Sequence, residues 1–221
     1  MKKALVLLVV SFLIAGSSFA QVKISGGVLG GLNLANVTID PAPTESFDNL
    51  TAFGVGGVFN FEFSGGFSIQ AEPMYLRAGT KTTTAINNVP VDLKLKGNYI
   101  SIPVLFIYAF QTGENQVQPY IFAGPSLGFL MSATASEEAT VGGNSVSADV
   151  DFKDSLKTTD FGAIFGAGVN IPAGGNTIFL EGRYSLGLSD ISNAPDFFGA
   201  GTTIKTKGIQ FFAGIRFPFG S

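Results

Sequence analysis

The sequence predicts an all-β fold, a single transmembrane antiparallel up-and-down β-barrel of about eight strands. Three observations predict it. The chain is 46% hydrophobic and only 13% charged, with 22 Phe and 29 Gly, so apolar side chains must face something other than water. Apolar residues alternate with small or polar ones over segments of about ten residues, the period of a strand with two unlike faces. The connections between these segments alternate between short and long, as they do when strands pass up and down through one layer.

A helical membrane protein is excluded first. Beyond the N-terminus the longest apolar stretch, around Ile100 to Phe110, is broken by Ser101 and Pro103. It falls well short of the roughly 20 residues that a helix needs to cross lipid. The N-terminus reads differently. Lys2 and Lys3 precede an apolar run from Ala4 to Ala15, and Ser18 and Ala20 supply small residues before a cleavage point. That order predicts a secretory signal peptide over residues 1–20 and a mature barrel domain over 21–221. No Cys follows the cleavage point, which excludes a lipoprotein.

Alternation places the eight strands. Between Ala52 and Phe63 the odd positions are Phe53, Val55, Gly57, Phe59, Phe61 and Phe63, while Gly54, Gly56, Asn60 and Glu62 hold even ones. The same reading gives strands at 22–37, 50–63, 67–79, 97–110, 118–132, 160–171, 177–188 and 208–219. Short turns then fall at 64–66, 111–117 and 172–176, and long loops at 38–49, 80–96, 133–159 and 189–207. The expected placement is a bacterial outer membrane, with short turns and both termini periplasmic and the long, solvated loops extracellular. In hydrocarbon an unpaired strand edge leaves polar groups unsatisfied, so the sheet must close. Eight strands make a cylinder that side chains can fill.

Composition also removes functions. The chain has no His and no Cys, which takes away the commonest general base and metal ligand, thiolate chemistry and disulfides. No catalytic, cofactor-binding or metal-binding residues are expected, and no enzyme. Loss of Lys2 and Lys3 leaves 11 basic residues against 16 acidic, a mature net charge of −5. Nucleic acid is therefore not an expected partner. Loops 38–49 and 133–159 are acidic but carry no spaced cation-binding motif, so they read as solvated.

Inside the barrel, alternation directs Lys23, Glu62, Gln70, Glu72, Glu181, Arg183, Gln210 and Arg216 to the lumen. Charge inside a membrane barrel is costly unless paired. Glu72, Glu181, Arg183 and Arg216 lie within the first six or so rungs of their strands, counted from the periplasmic ends. They are expected to meet as a lumenal cluster of ion pairs and hydrogen bonds that plugs the lower barrel. A role for Glu72 or Glu181 in handling protons or a solute is the alternative. Tyr75, Tyr108 and Tyr184 read as interfacial girdle. Pro73, Pro103 and Pro125 lie within strands, where a β-bulge or a lumen-side distortion is expected at each.

With the strands placed, the chain resembles the outer-membrane β-barrel family typified by PorT, known from bacteria with the type IX secretion system. The marks are Gln70, Ala71, Glu72 and Tyr75; Tyr99, Ile100, Ile102 and Pro103; Pro119, Tyr120, Gly124 and Pro125; Glu181, Gly182, Arg183 and Tyr184; and Gly214, Ile215, Arg216 and Phe217. The resemblance implies fold and location more firmly than activity. The expected function is a non-enzymatic barrel, structural or an accessory of an envelope or secretion complex. A narrow channel for small solutes is the alternative. Expected partners are outer-membrane lipid or lipopolysaccharide and another envelope or secretion-system protein.

Overall fold

The computed structural model describes residues 22–42, 47–86, 89–113, 116–141, 144–193 and 201–219. The expected signal peptide, Glu45 of the first acidic loop and the last two residues lie outside them. Ten strands occur among the described residues: β1 (Lys23–Asp40), β2 (Asp48–Glu62), β3 (Phe67–Ala71), β4 (Met74–Ile86), β5 (Val89–Ala109), β6 (Gln118–Val141), β7 (Asn144–Asp151), β8 (Thr159–Ala173), β9 (Asn176–Gly187) and β10 (Thr203–Phe219). All pairings are antiparallel, and β1 bonds to both β2 and β10. The ring closes through β3 and β4, then β5, β6, β8, β9 and β10. Because β3 and β4 are two halves of one stave and β7 pairs only with β6, the wall has the eight staves that alternation predicts.

The two faces differ as lipid and lumen require. Val28, Leu32, Phe53, Val55, Phe59, Phe106, Ile121, Phe165 and Phe211 are all exposed on the outside. An apolar surface of this extent is stable only against other apolar material, here hydrocarbon. Inward, the same strands bury Leu29, Val58, Leu105, Phe122, Phe179 and Phe212. The pattern at β8 follows the expected register, with Phe161 and Phe165 outside and Gly162 buried.

Several expectations need correction. The segments 80–96 and 133–159 are not solvated loops. β4 and β5 continue in register to Ile86 opposite Val89, and β6 continues to Val141 and returns as β7. Thr80 and Thr82 are buried in this extension. The β-branched Thr run suits a pleated surface, and the segments read as loops only because no lipid-facing apolar row marks them. Nor do the prolines carry bulges. The register of β2 is the same against β3 (Phe59 opposite Ala71) and β4 (Gly56 opposite Met74), so Pro73 interrupts the stave without adding a residue. Its carbonyl still accepts from Gly57 N at 2.9 Å, and Pro103 O accepts from Glu72 N at 3.0 Å. Each proline thus forfeits a donor alone. Pro103 stays in register opposite Ser126, and Pro125 opposite Ala163. The register shifts fall instead between Asn49 and Gly54 and between Asn98 and Tyr99.

Aromatic rings fit this narrow cylinder because inward glycines face them. A Cβ on Gly168 would meet the Tyr120 ring and hydroxyl, one on Gly166 the Phe122 ring, and one on Gly214 the Phe179 ring. Directly after β8, Gly174 and Gly175 have φ of 58° and 87°. Together they form the two-residue turn into β9, where only a residue without Cβ sits at ease. Gly168→Val is expected to cost about 1–3 kcal/mol through overpacking. Equilibrium unfolding in lipid vesicles, followed by the gel-mobility difference between unboiled and boiled protein, measures it.

Candidate functional site

The four residues singled out in the sequence lie in the lumen and are all buried. Glu72 arrives on the stave broken at Pro73, Glu181 and Arg183 on β9, and Arg216 on β10. Glu181 and Arg183 are two apart, so both point inward from one strand. Arg183 donates from Nη1 to Glu72 Oε2 at 2.6 Å. Its Nη2 lies 3.0 Å from Glu181 Oε1, and all three side chains are wholly excluded from solvent. The guanidinium also stacks on Phe212, 4.2 Å from the ring centroid. Arg183 therefore joins both carboxylates.

Arg216 does not join that ion pair. Its Nη1 donates to Gln70 Oε1 at 3.0 Å and its Nη2 to Asn170 Oδ1 at 2.6 Å. Gln70 in turn donates from Nε2 to Glu72 Oε1 at 2.7 Å. The two guanidiniums are thus linked through an amide, and the cluster is one network rather than two salt bridges. Alternation could direct four charges inward, but which cation takes which acid depends on stagger between strands far apart in sequence.

Tyr120 was outside the expected cluster. Its hydroxyl donates to Glu181 Oε2 at 3.0 Å, which gives the second carboxylate a hydrogen bond beside its ion pair with Arg183. The signal was present, since Tyr120 alternates with the inward Phe122 on β6. Lys23 and Glu62 were expected in the lumen. They are exposed and opposite each other where β1 and β2 meet the short turns. Of the three Tyr read as girdle, Tyr108 is exposed and Tyr75 and Tyr184 are half-buried. Tyr75 donates to Asn98 Oδ1 at 2.7 Å, Tyr108 stacks with Phe67 and Phe110, and Tyr184 with Phe165.

The network divides the lumen. Toward the short turns lies a small vestibule of about 30 Å³ bordered by Asn60, Ser68, Gln118 and Arg216. Toward the long connections lies a chamber of about 50 Å³ bordered by Asn33, Ser101, Ser126, Asp160 and Gln210. Above this chamber, Tyr99, Leu130, Ala133, Leu156, Ile191 and Ile204 form an apolar cluster. Leu156 and Ile191 come from the connections after β7 and β9, so two loops fold inward as a lid.

The lid is pinned by Asp190. Lys157 Nζ donates to its Oδ2 at 2.7 Å, and Ser192 N and Ile204 N donate to its Oδ1 at 3.0 and 2.9 Å. Partial burial alone would raise the Asp190 carboxyl, but these donors outweigh it and hold the group well below the usual carboxylate range. A group whose pKa falls on folding stabilises the fold above its unfolded pKa, about 4 for Asp, and loses that contribution as pH falls. The lid should therefore hold at neutral pH and loosen below about pH 4. Asp190→Asn should loosen it at neutral pH, and hydrogen exchange over 152–157 and 189–193 reads both effects.

A closed antiparallel ring, apolar outside and filled within by a buried ionic network, defines a small transmembrane β-barrel with a plugged lumen. The family model described as outer membrane protein beta-barrel domain matches residues 19–193. The chain belongs to that family, and its place is the bacterial outer membrane. The finer PorT-like resemblance is not part of this match. No curated protein matches in sequence. Among solved structures, Neisserial surface protein A is 17% identical with a TM-score of 0.49, the match covering 89% of this chain and 97% of that one. OprG from Pseudomonas aeruginosa is 14% identical with a TM-score of 0.48, over 92% and 98%. Ail from Yersinia pestis, crystallised with the heparin analogue sucrose octasulfate, is 15% identical with a TM-score of 0.39, over 88% and 99%. Likeness at this level carries no function across.

Proposed function

We propose that this protein is a non-conducting, non-enzymatic barrel that serves the envelope through its outer surface and long connections. In this reading it is a structural or accessory component bound to lipopolysaccharide or to another envelope or secretion-system protein. The observation that carries it is the fully buried Glu72–Arg183–Glu181 layer, with the apolar lid as a second barrier above it. A solute would have to break the buried ion pairs, whose separation is costly in a medium of low dielectric. With the lumen shut, the parts left to engage partners are the β4–β5 and β6–β7 extensions. Their paired side chains, such as Lys94 and Glu138 at 2.8 Å, are polar and open to water. The short turns and both termini face the periplasm in this reading, and the extensions face outward.

The purified barrel is expected to be nearly silent in a planar bilayer. Replacing residues 133–159 by a short turn should weaken co-purification with an envelope component in mild detergent while leaving the heat-modifiable gel shift intact. Two cavities flanking one thin barrier favour the channel as the second reading. Steady conductance of the intact protein, altered by Arg183→Lys, would establish it and end the accessory reading.

A further inference from the structure

The outer face of the β4–β5 hairpin gathers cations. Arg77 and Lys81 flank Gly79 on β4, Lys94 and Lys96 follow each other on β5, and the register sets Lys81 directly opposite Lys94 and Gly79 opposite Lys96. Residues two apart on a strand share a face. These four therefore continue the row that holds Tyr75 opposite Ile100, and Ile100 and Ile102 are exposed on the lipid-facing wall. The basic row starts where the apolar row stops, at the level of lipid headgroups.

Little offsets this charge. Lys94 is paired with Glu138 at 2.8 Å, but Arg77, Lys81 and Lys96 have no carboxylate within ion-pair distance among the described residues. Arg77 lies over the Phe53 ring, 5.3 Å from its centroid, and donates from Nε to Asn98 Oδ1 at 2.9 Å. Lys96 Nζ donates to Ser136 Oγ at 3.0 Å. These partners are neutral. Two acids lie near by. Asp48 is opposite Lys81 in the β2–β4 ladder without forming an ion pair with it, and Asp92 lies beyond Lys94, where it accepts from Thr83 Oγ1 at 2.7 Å. Like charges facing each other across a ladder weaken it. Gly79 leaves a notch among the three cations. Its φ is 147°, and a Cβ there would run into Leu95 O, so the position stays bare.

We infer that this notch docks a phosphate group of an outer-leaflet glycolipid, held by Arg77, Lys81 and Lys96 around Gly79. A phosphate supplies acceptor oxygens for a guanidinium and two ammonium groups and removes their mutual repulsion. The acyl chains of the same lipid then lie along Ile100, Ile102 and the apolar wall below. The inference rests on the reading in which the β4–β5 and β6–β7 extensions face outward, and it names the lipid contact of that reading.

The test titrates the mature barrel, in a maltoside detergent that carries no charge, with lipid A bearing its phosphates, and counts bound lipid by native mass spectrometry. The same lipid with its phosphates removed, and phosphatidylglycerol, are the comparison ligands. Phosphorylated lipid A should bind at least tenfold more tightly than either. Arg77→Gln, Lys81→Gln and Lys96→Gln should each weaken it about fivefold, the order of one cation lost near an anionic headgroup. Lys23→Gln removes the same charge at the turn end and should change nothing. Equal binding of the dephosphorylated lipid or of phosphatidylglycerol overturns the inference, as does a loss in Lys23→Gln equal to that in Lys96→Gln. If Arg77→Gln loses its heat-modifiable gel shift and so fails to fold, the exposed Lys81 decides, and unchanged affinity in Lys81→Gln overturns the site. Binding is read on the isolated barrel, so conductance does not enter it. The orientation is read separately, by protease added to whole cells, and a β6–β7 turn that is cut only after the outer membrane is opened overturns the outer-leaflet occupant.

Discussion

Replacing Arg183 with Met is expected to cost about 3–5 kcal/mol of folding free energy, the largest effect of any single substitution in the barrel. The change strands Glu72 and Glu181, both shut off from solvent on the Arg183 side. One carboxylate must then take up a proton or draw in water, and the stack on Phe212 loses its charge. The informative control removes the whole triad. Glu72→Leu, Glu181→Leu and Arg183→Met together remove the ion-paired triad and leave Arg216 still held by Gln70 and Asn170, so the triple variant is expected to cost less than the single one. Urea-dependent folding into lipid vesicles, with gel mobility as the readout, separates the two outcomes. A single substitution no more harmful than the triple would mean that Arg183 is not holding two charges.

Phe165→Arg is expected to cost about 2–4 kcal/mol if the position lies near the middle of the bilayer. Phe165 is exposed on the outer wall beside Tyr184, 5.4 Å between ring centroids. Its neighbours along β8 point the other way, with Gly166 beneath the Phe122 ring. An arginine on the outside must bend toward the headgroups or carry water into hydrocarbon. The same vesicle-folding measurement reads the cost. A nearly neutral result would place Phe165 away from lipid and invert the register of the sheet.

Register was legible because period two is a local property. Phe53, Val55 and Phe59 declare the outer face of β2 without knowledge of its neighbours, and each short turn then fixes the direction of the next strand. The extensions were not legible for the converse reason. Thr80, Thr82, Leu93 and Leu95 alternate with charged and polar residues above the lipid belt, where neither face has to be apolar. A strand there looks like a loop in composition. The prolines misled in another way. A missing donor can be absorbed by one lost ladder bond, as at Pro73, so it need not add a residue to the strand.

The candidate site divides along the same line. Inward direction for Glu72, Glu181, Arg183 and Arg216 follows from alternation, and the need for them to be paired follows from the cost of charge away from water. Their partners do not. Glu72 and Arg183 are 111 residues apart, and Arg216 and Gln70 are 146 apart. A shift of one pair of rungs along any stave would exchange carboxylates for amides.

The sequence by itself determined that this chain is an all-β barrel with a lipid-facing exterior, no His or Cys chemistry and charge inside, because those properties depend on composition and on neighbours two residues apart. Only the tertiary structure decided that Arg183 takes both acids while Arg216 is left to amides, that Tyr120 completes the network, and that Leu156 and Ile191 fold in as a lid. Those outcomes depend on the stagger of strands around a closed ring, a quantity set by all eight staves together and carried by no single segment.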